Sequence, residues 1–169
     1  MTPAADTMVE RPIGPAAVDA EGSGLSFDLN CFLPYLLNRA GSRLASIFSD
    51  ELRRFGLTLP KWRVMAVLWH KGEQRIIDLV EETSIEQSTL SRLLVAMDGQ
   101  GLVSRTRNRL DGRAVVVTLS TAGRALTDQL IPLALRDERA AQAGLTAEEI
   151  RLLHSMLRRI YRNAAGPER

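Results

Sequence analysis

The apolar positions fall into a series of helical periods broken once by an alternating stretch. Residues 1–25 show no period and hold eleven Ala, Pro or Gly. Such a segment buries too little to offset the entropy of ordering, which predicts a flexible tail. From Leu29 onward Leu29, Phe32, Leu33, Leu36, Ala40, Leu44, Ile47, Phe48, Leu52 and Phe55 recur at three- and four-residue steps up to Gly56, predicting one long helix over 29–56. Pro34 fits its first turn but would kink it if the helix began well upstream. A second helix, from about Pro60 to His70 with Gly72 beyond it, is apolar nearly all round: Trp62, Val64, Met65, Val67, Leu68 and Trp69. Two short helices follow, over 75–82 and 86–98, around Thr83-Ser84-Ile85. In the latter, Leu90, Leu93, Leu94 and Met97 form the inward stripe, and Ser84 with Gln87 has the spacing of a capping box.

After Gly99 and Gly101 the period changes to two. Residues 102–107 and 114–119 read as strands joined by Asn108-Arg109-Leu110-Asp111-Gly112, a β-hairpin. Ser120 then opens a helix to about Ala143, bent at Pro132. Thr146 with Glu149 caps a last helix whose Ile150, Leu153, Leu157 and Ile160 share a face. The expected fold is mainly α with a small β-hairpin wing, one folded domain over 26–169 behind the tail. The first and last helices carry more apolar surface than a small helix-turn-helix unit can cover, which predicts a homodimer.

Composition narrows the function. The chain has 169 residues, 45% of them apolar, so it can build a core of its own. One cysteine, Cys31, and two histidines leave no material for a disulfide or a metal cluster, so no metal is expected. No apolar run approaches the ~20 residues of a membrane span and no export signal is visible, so the protein is expected in the cytoplasm without membrane contact. The net charge of +2 is uneven: residues 1–29 hold Arg11 against five acids, a balance of −4, which leaves +6 on the rest. That excess leans toward a polyanionic partner.

Helix, turn, helix and hairpin in this order make a winged helix-turn-helix. With the stripe of 86–98 turned inward, Gln87, Ser88, Thr89, Ser91 and Arg92 are left on the opposite face, as a helix reading base edges and phosphates requires. They would equally make an ordinary solvent face. On the hairpin, Arg105, Arg107 and Arg109 alternate, which puts them on one side to meet phosphate or the minor groove. Asp111 and Arg113, one glycine apart, could pair across the turn or set an arginine for DNA. A merely solubilising hairpin is the alternative. Catalysis has nothing to stand on: the pairs Glu81-Glu82 and Glu148-Glu149 point about 100° apart on their helices, and no phosphate loop, metal pair or serine elbow occurs. No catalytic residue and no cofactor is expected.

The run from Ser88 to Thr118 with Leu119-Ser120-Thr121-Ala122-Gly123 resembles the recognition helix and wing of the MarR family of transcriptional regulators. Asp111-Gly112-Arg113 matches its Asp-x-Arg wing signature, and Leu102-Val103-x-Arg105 the segment before it. Helix order agrees from about 29 to 164. The resemblance implies a two-fold dimer joined by helices 29–56 and 120–164, a DNA-binding lobe over 57–119, and a pseudo-palindromic double-stranded operator that is usually repressed. It also implies release by a small molecule, often an aromatic acid, bound between dimerisation helices and lobe. On that geometry Arg39, Arg43, Trp62, Met65, Trp69 and His70 are the ligand candidates, guanidinium groups beside aromatic walls suiting an aromatic carboxylate or a thioester. Core packing and a helix-end charge account for them as well. Cys31-Phe32-Leu33-Pro34-Tyr35 is similar to the cysteine segment of the hydroperoxide-sensing branch, but Ala45 and Gly56 stand where that branch has tyrosines that bond the thiolate. Cys31 is therefore read as structural, with redox sensing as an alternative and a winged-helix module without DNA binding as another.

Overall fold

The computed structural model describes residues 27–107 and 115–164. The expected tail over 1–25 and the candidates Arg109, Asp111 and Arg113 lie outside them. The elements are α1 (Leu33–Arg54), α2 (Leu59–Lys71), β1 (Gln74–Arg75), α3 (Ile76–Thr83), α4 (Gln87–Gly99), β2 (Val103–Arg107), β3 (Val115–Leu119), α5 (Thr121–Ala141) and α6 (Ala147–Ala164). The chain divides into two compact units, one up to Ala45 and one from Ser46.

In the first unit α1 starts at Leu33, which puts Pro34 in the first turn, where a missing N–H costs nothing. One turn on, Arg39 donates to the Tyr35 hydroxyl at 3.4 Å and lies over its ring. Cys31 is exposed rather than packed, and its thiol donates to Asp28 Oδ2 at 3.8 Å.

The second unit holds the core. Phe48 and Leu52 from the end of α1, Val64, Met65 and Leu68 from α2, Leu79 from α3, Leu90, Leu94 and Met97 from α4, and Leu130 from α5 meet Val103 and Val117 of the sheet. Trp62 packs edge-to-face on Phe48 with ring centroids 5.1 Å apart. The sheet is three-stranded and antiparallel in the order β1-β3-β2, so the expected hairpin is joined by a third strand. Gln74 and Arg75 are too few to show a period of two, and only their pairing with Val117 and Val116 reveals the strand.

Two joints fix the lobe. Ser84 ends α3 in the left-handed region (φ 53°) and turns the chain toward α4. At the far end of α4, Gly101 takes φ 70° and the chain enters β2 beside the start of α5. There the Ser120 hydroxyl accepts from Gly123 N at 2.9 Å and donates to Gly101 O, while Ser120 N donates to Leu102 O. Gly123 sits so close that a Cβ on it would lie 1.9 Å from the carbonyl oxygen of Leu102. At α6 the expected cap is present: Thr146 Oγ1 accepts from Glu149 N, and Glu149 Oε2 accepts from Thr146 N at 2.7 Å.

Candidate nucleic-acid interface

The cap of α4 differs from the expected Ser84–Gln87 box, because Ser84 is spent on the turn. Glu86 takes its place: its carboxylate accepts from Ser88 N at 2.9 Å, Thr89 N at 3.0 Å and the Ser88 hydroxyl. The hydrogen bond from the Ser88 hydroxyl, then those from the two backbone amides, hold this carboxyl at about 2, well below its ordinary 4.5. The first turn of α4 thus has its free amides satisfied by an anion of its own, which suits the positive end of the helix.

With the cap in place, Gln87, Ser88, Thr89 and Arg92 are exposed, Ser91 is half-buried, and Leu90, Leu94 and Met97 hold the other side in the core. Arg92 bends back so that its Nε donates to Ser88 O at 3.4 Å, and its guanidinium has no carboxylate partner among the described residues. The structure therefore brings all five helix candidates to one end and one side of α4.

The wing is arranged less simply. Arg105 is paired across the sheet with Val117, and Val103 shares its side of β2; both valines are buried. Arg105 accordingly runs along the core side of the sheet, half-buried, with a buried Nε that lacks a hydrogen-bond partner. Strand β2 continues to Arg107. A third cation that the sequence reading passed over, Arg75, ends β1 and forks onto Asp78 with Nε–Oδ2 and Nη2–Oδ1 distances of 2.8 and 2.7 Å, tying the sheet to the start of α3. This guanidinium holds the Asp78 carboxyl below its ordinary value.

The ligand candidates fall in both units. Arg39 and Arg43 belong to the unit ending at Ala45, while the others are on α2. Met65 is fully buried in the core, and half-buried Trp62 packs against that core. His70 is exposed in the last turn of α2. Half-buried Trp69 donates from Nε1 to Asp128 Oδ1 at 2.6 Å, beside an open groove of about 370 Å³ lined by Leu119, Ser120, Thr121, Arg124, Ala125 and Asp128. All six lining residues come from one stretch, the end of β3 and the first turns of α5. Among the described residues no cluster of three or more His, Cys, Asp or Glu could hold a metal, and no helix is long and apolar enough to cross a membrane.

Comparison with known proteins agrees with the architecture. The family model for the transcriptional regulators SarA/Rot matches residues 46–130. A MarR-family regulator from Silicibacter pomeroyi is 32% identical, with a TM-score of 0.76 over 84% of this chain and 96% of that one. Bordetella bronchiseptica BpsR, whose DNA binding is regulated by 6-hydroxynicotinic acid, is 28% identical, with a TM-score of 0.69 over 76% of this chain and 98% of its own. The transcriptional repressor IacR of Pseudomonas putida is 25% identical over 76% of this chain and 77% of its own. A winged helix-turn-helix with this helix order and these relatives is not an enzyme fold in search of a site; the chain belongs to the MarR/SarA family of DNA-binding transcriptional regulators.

Proposed function

We propose that the protein is a homodimeric repressor that reads a two-fold related operator with α4, holds the flanking backbone with its wing arginines, and lets go when a small aromatic acid binds. The observation that carries the DNA reading is the α4 surface: polar, with an Arg92 guanidinium that no carboxylate among the described residues pairs, and presented at the N-terminal end of a helix whose other side is locked in the core. Dimerisation is supported by α6, none of whose residues is buried. On this reading helices 29–56 and 120–164 join the copies and the lobe over 57–119 meets DNA. Repression and acid-controlled release are supported by the likeness to IacR and BpsR. Trp62 and Trp69, both half-buried, and exposed His70 are the ligand candidates on α2 that the core does not enclose.

The test separates helix from wing. Arg92→Ala should cost ~1–3 kcal/mol on a duplex enriched from random DNA by the wild-type protein, and much less on a scrambled one. Arg107→Ala should weaken both alike and flatten the salt dependence by about one unit. Enriched sites should show half-sites about one helical turn apart. Identical behaviour of the two variants refutes the division, and wild-type protein that enriches no sequence refutes the function. For the ligand, an aromatic acid at ~100 times its dissociation constant should raise the unfolding free energy by about 2.7 kcal/mol. A panel of such acids that neither stabilises the protein nor releases DNA overturns that part.

A further inference from the structure

One side chain on the exposed side of α4 is explained neither by the core nor by polar chemistry. Leu90, Leu94 and Met97 are fully buried and Leu93 is half-buried, whereas Val95 is 56% exposed. At 100° per residue Ser88, Ser91, Arg92 and Val95 form one strip, with Val95 two turns beyond Ser88 and one turn beyond Ser91. A β-branched residue is a weak helix former, so propensity gives no reason for it at a solvated position. Its neighbours on that side of the helix are the Ser88 and Ser91 hydroxyls, the Arg92 guanidinium and, one turn on, exposed Asp98.

The chemistry of the major groove supplies a reason. Of the groups that base pairs display there, the thymine C5 methyl is the apolar one; cytosine has only a hydrogen at C5 and carries its amine where thymine has O4. From Ser88 to Val95 the axial distance is about 10.5 Å, roughly three steps of a duplex with about 3.4 Å between bases. A half-site that meets Ser88 and Arg92 therefore still lies under Val95.

We propose that Val95 is a specificity-determining residue that packs on a thymine methyl in each half-site, beside the base pair met by Arg92. The inference rests on α4 being the reading helix and deepens that assignment. Thymine is favoured because its methyl and the valine leave water together; cytosine, with only a hydrogen at C5, offers no such contact.

The experiment deletes the methyl from the DNA. Duplexes are enriched from a randomised pool with wild-type protein, and each thymine of the enriched half-site is replaced in turn by deoxyuridine, which lacks only the methyl. Binding is measured by anisotropy for wild type and Val95→Ser, whose helix propensity is close to that of valine, with circular dichroism to confirm the fold. At one thymine the replacement should weaken wild-type binding about three- to five-fold and leave Val95→Ser unaffected. Val95→Thr, which keeps one methyl, should retain part of the sensitivity. Loss that is equal in wild type and Val95→Ser at every thymine, or no loss anywhere, overturns the proposal while leaving α4 as the reading helix. Failure of the wild type to enrich any sequence overturns both.

Discussion

In α4 the stripe of Leu90, Leu94 and Met97 is fully buried, whereas in α6 the stripe of Ile150, Leu153, Leu157 and Ile160 contains no buried residue, with Leu153 at 38% and Leu157 at 36% exposure. Both helices are amphipathic by sequence, so pattern alone does not tell a helix that finishes a core from one that awaits a partner. The difference is in the surroundings. Around α4 the chain supplies α3, β2 and the α1–α2 region within a few dozen residues, while α6 is the last element and its apolar side has nothing left in the lobe to meet. The lobe should therefore be stable as an intramolecular core, and α6 should contribute through association.

That contrast can be broken most forcefully at the core. Leu90→Ala empties a fully buried site and should cost about 2–5 kcal/mol by denaturant titration. A loss below about 1 kcal/mol would mean that the lobe is not the self-sufficient part. Gly123→Ala comes next: the new methyl meets a backbone carbonyl that cannot swing aside, so overpacking should cost about 1–3 kcal/mol and lower the melting temperature by several degrees. Trp69→Phe, which removes the donor to Asp128 between α2 and α5, should cost about 1 kcal/mol. On α6, by contrast, Leu153→Ser should change the unfolding free energy of dilute protein by less than about 0.5 kcal/mol, yet shift the mass seen by light scattering from dimer toward monomer. Equal costs for Leu90→Ala and Leu153→Ser would erase the distinction.

The finest test uses pH. The Glu86 carboxyl is lowered to about 2 in the fold, so its contribution is complete above its ordinary 4.5 and is lost as pH falls toward about 2. Glu86→Gln should melt below wild type at neutral pH, and the gap should close in that acid window. A gap that persists unchanged at pH 2 would show that the charge does not matter to the cap.

Much of this was legible in the sequence because helices and strands announce themselves by period. The order of helices, the hairpin, the Ser120 and Thr146–Glu149 caps, and the inward stripe of α4 all follow from local spacing. What escaped is what depends on partners distant in sequence. Strand β1 has no pattern of its own, and Glu86 replaces the expected Ser84–Gln87 box because the turn claims Ser84. Alternation correctly groups Arg105 with one side of β2, but only the register opposite Val117 tells that this is the side facing the core. Val95 carries no signal of its own in the sequence, since one apolar residue off the inward stripe is common on a helix surface. Which residues touch DNA or ligand is encoded in complementarity to another molecule, and the chain alone carries only half of that information.

The close approach of Gly123 to Leu102 also has a mechanical meaning. At Gly123 the backbone of α5 rests on the backbone of Leu102 without a side chain of its own to give way, and the Ser120 hydroxyl ties the two together. A soft contact would absorb a small rotation of α5, but this one passes it on. The first turn of α5, the start of β2 and the end of α4 should then act as one stiff corner, which carries a small tilt of α5 into the strand and the helix that leave it.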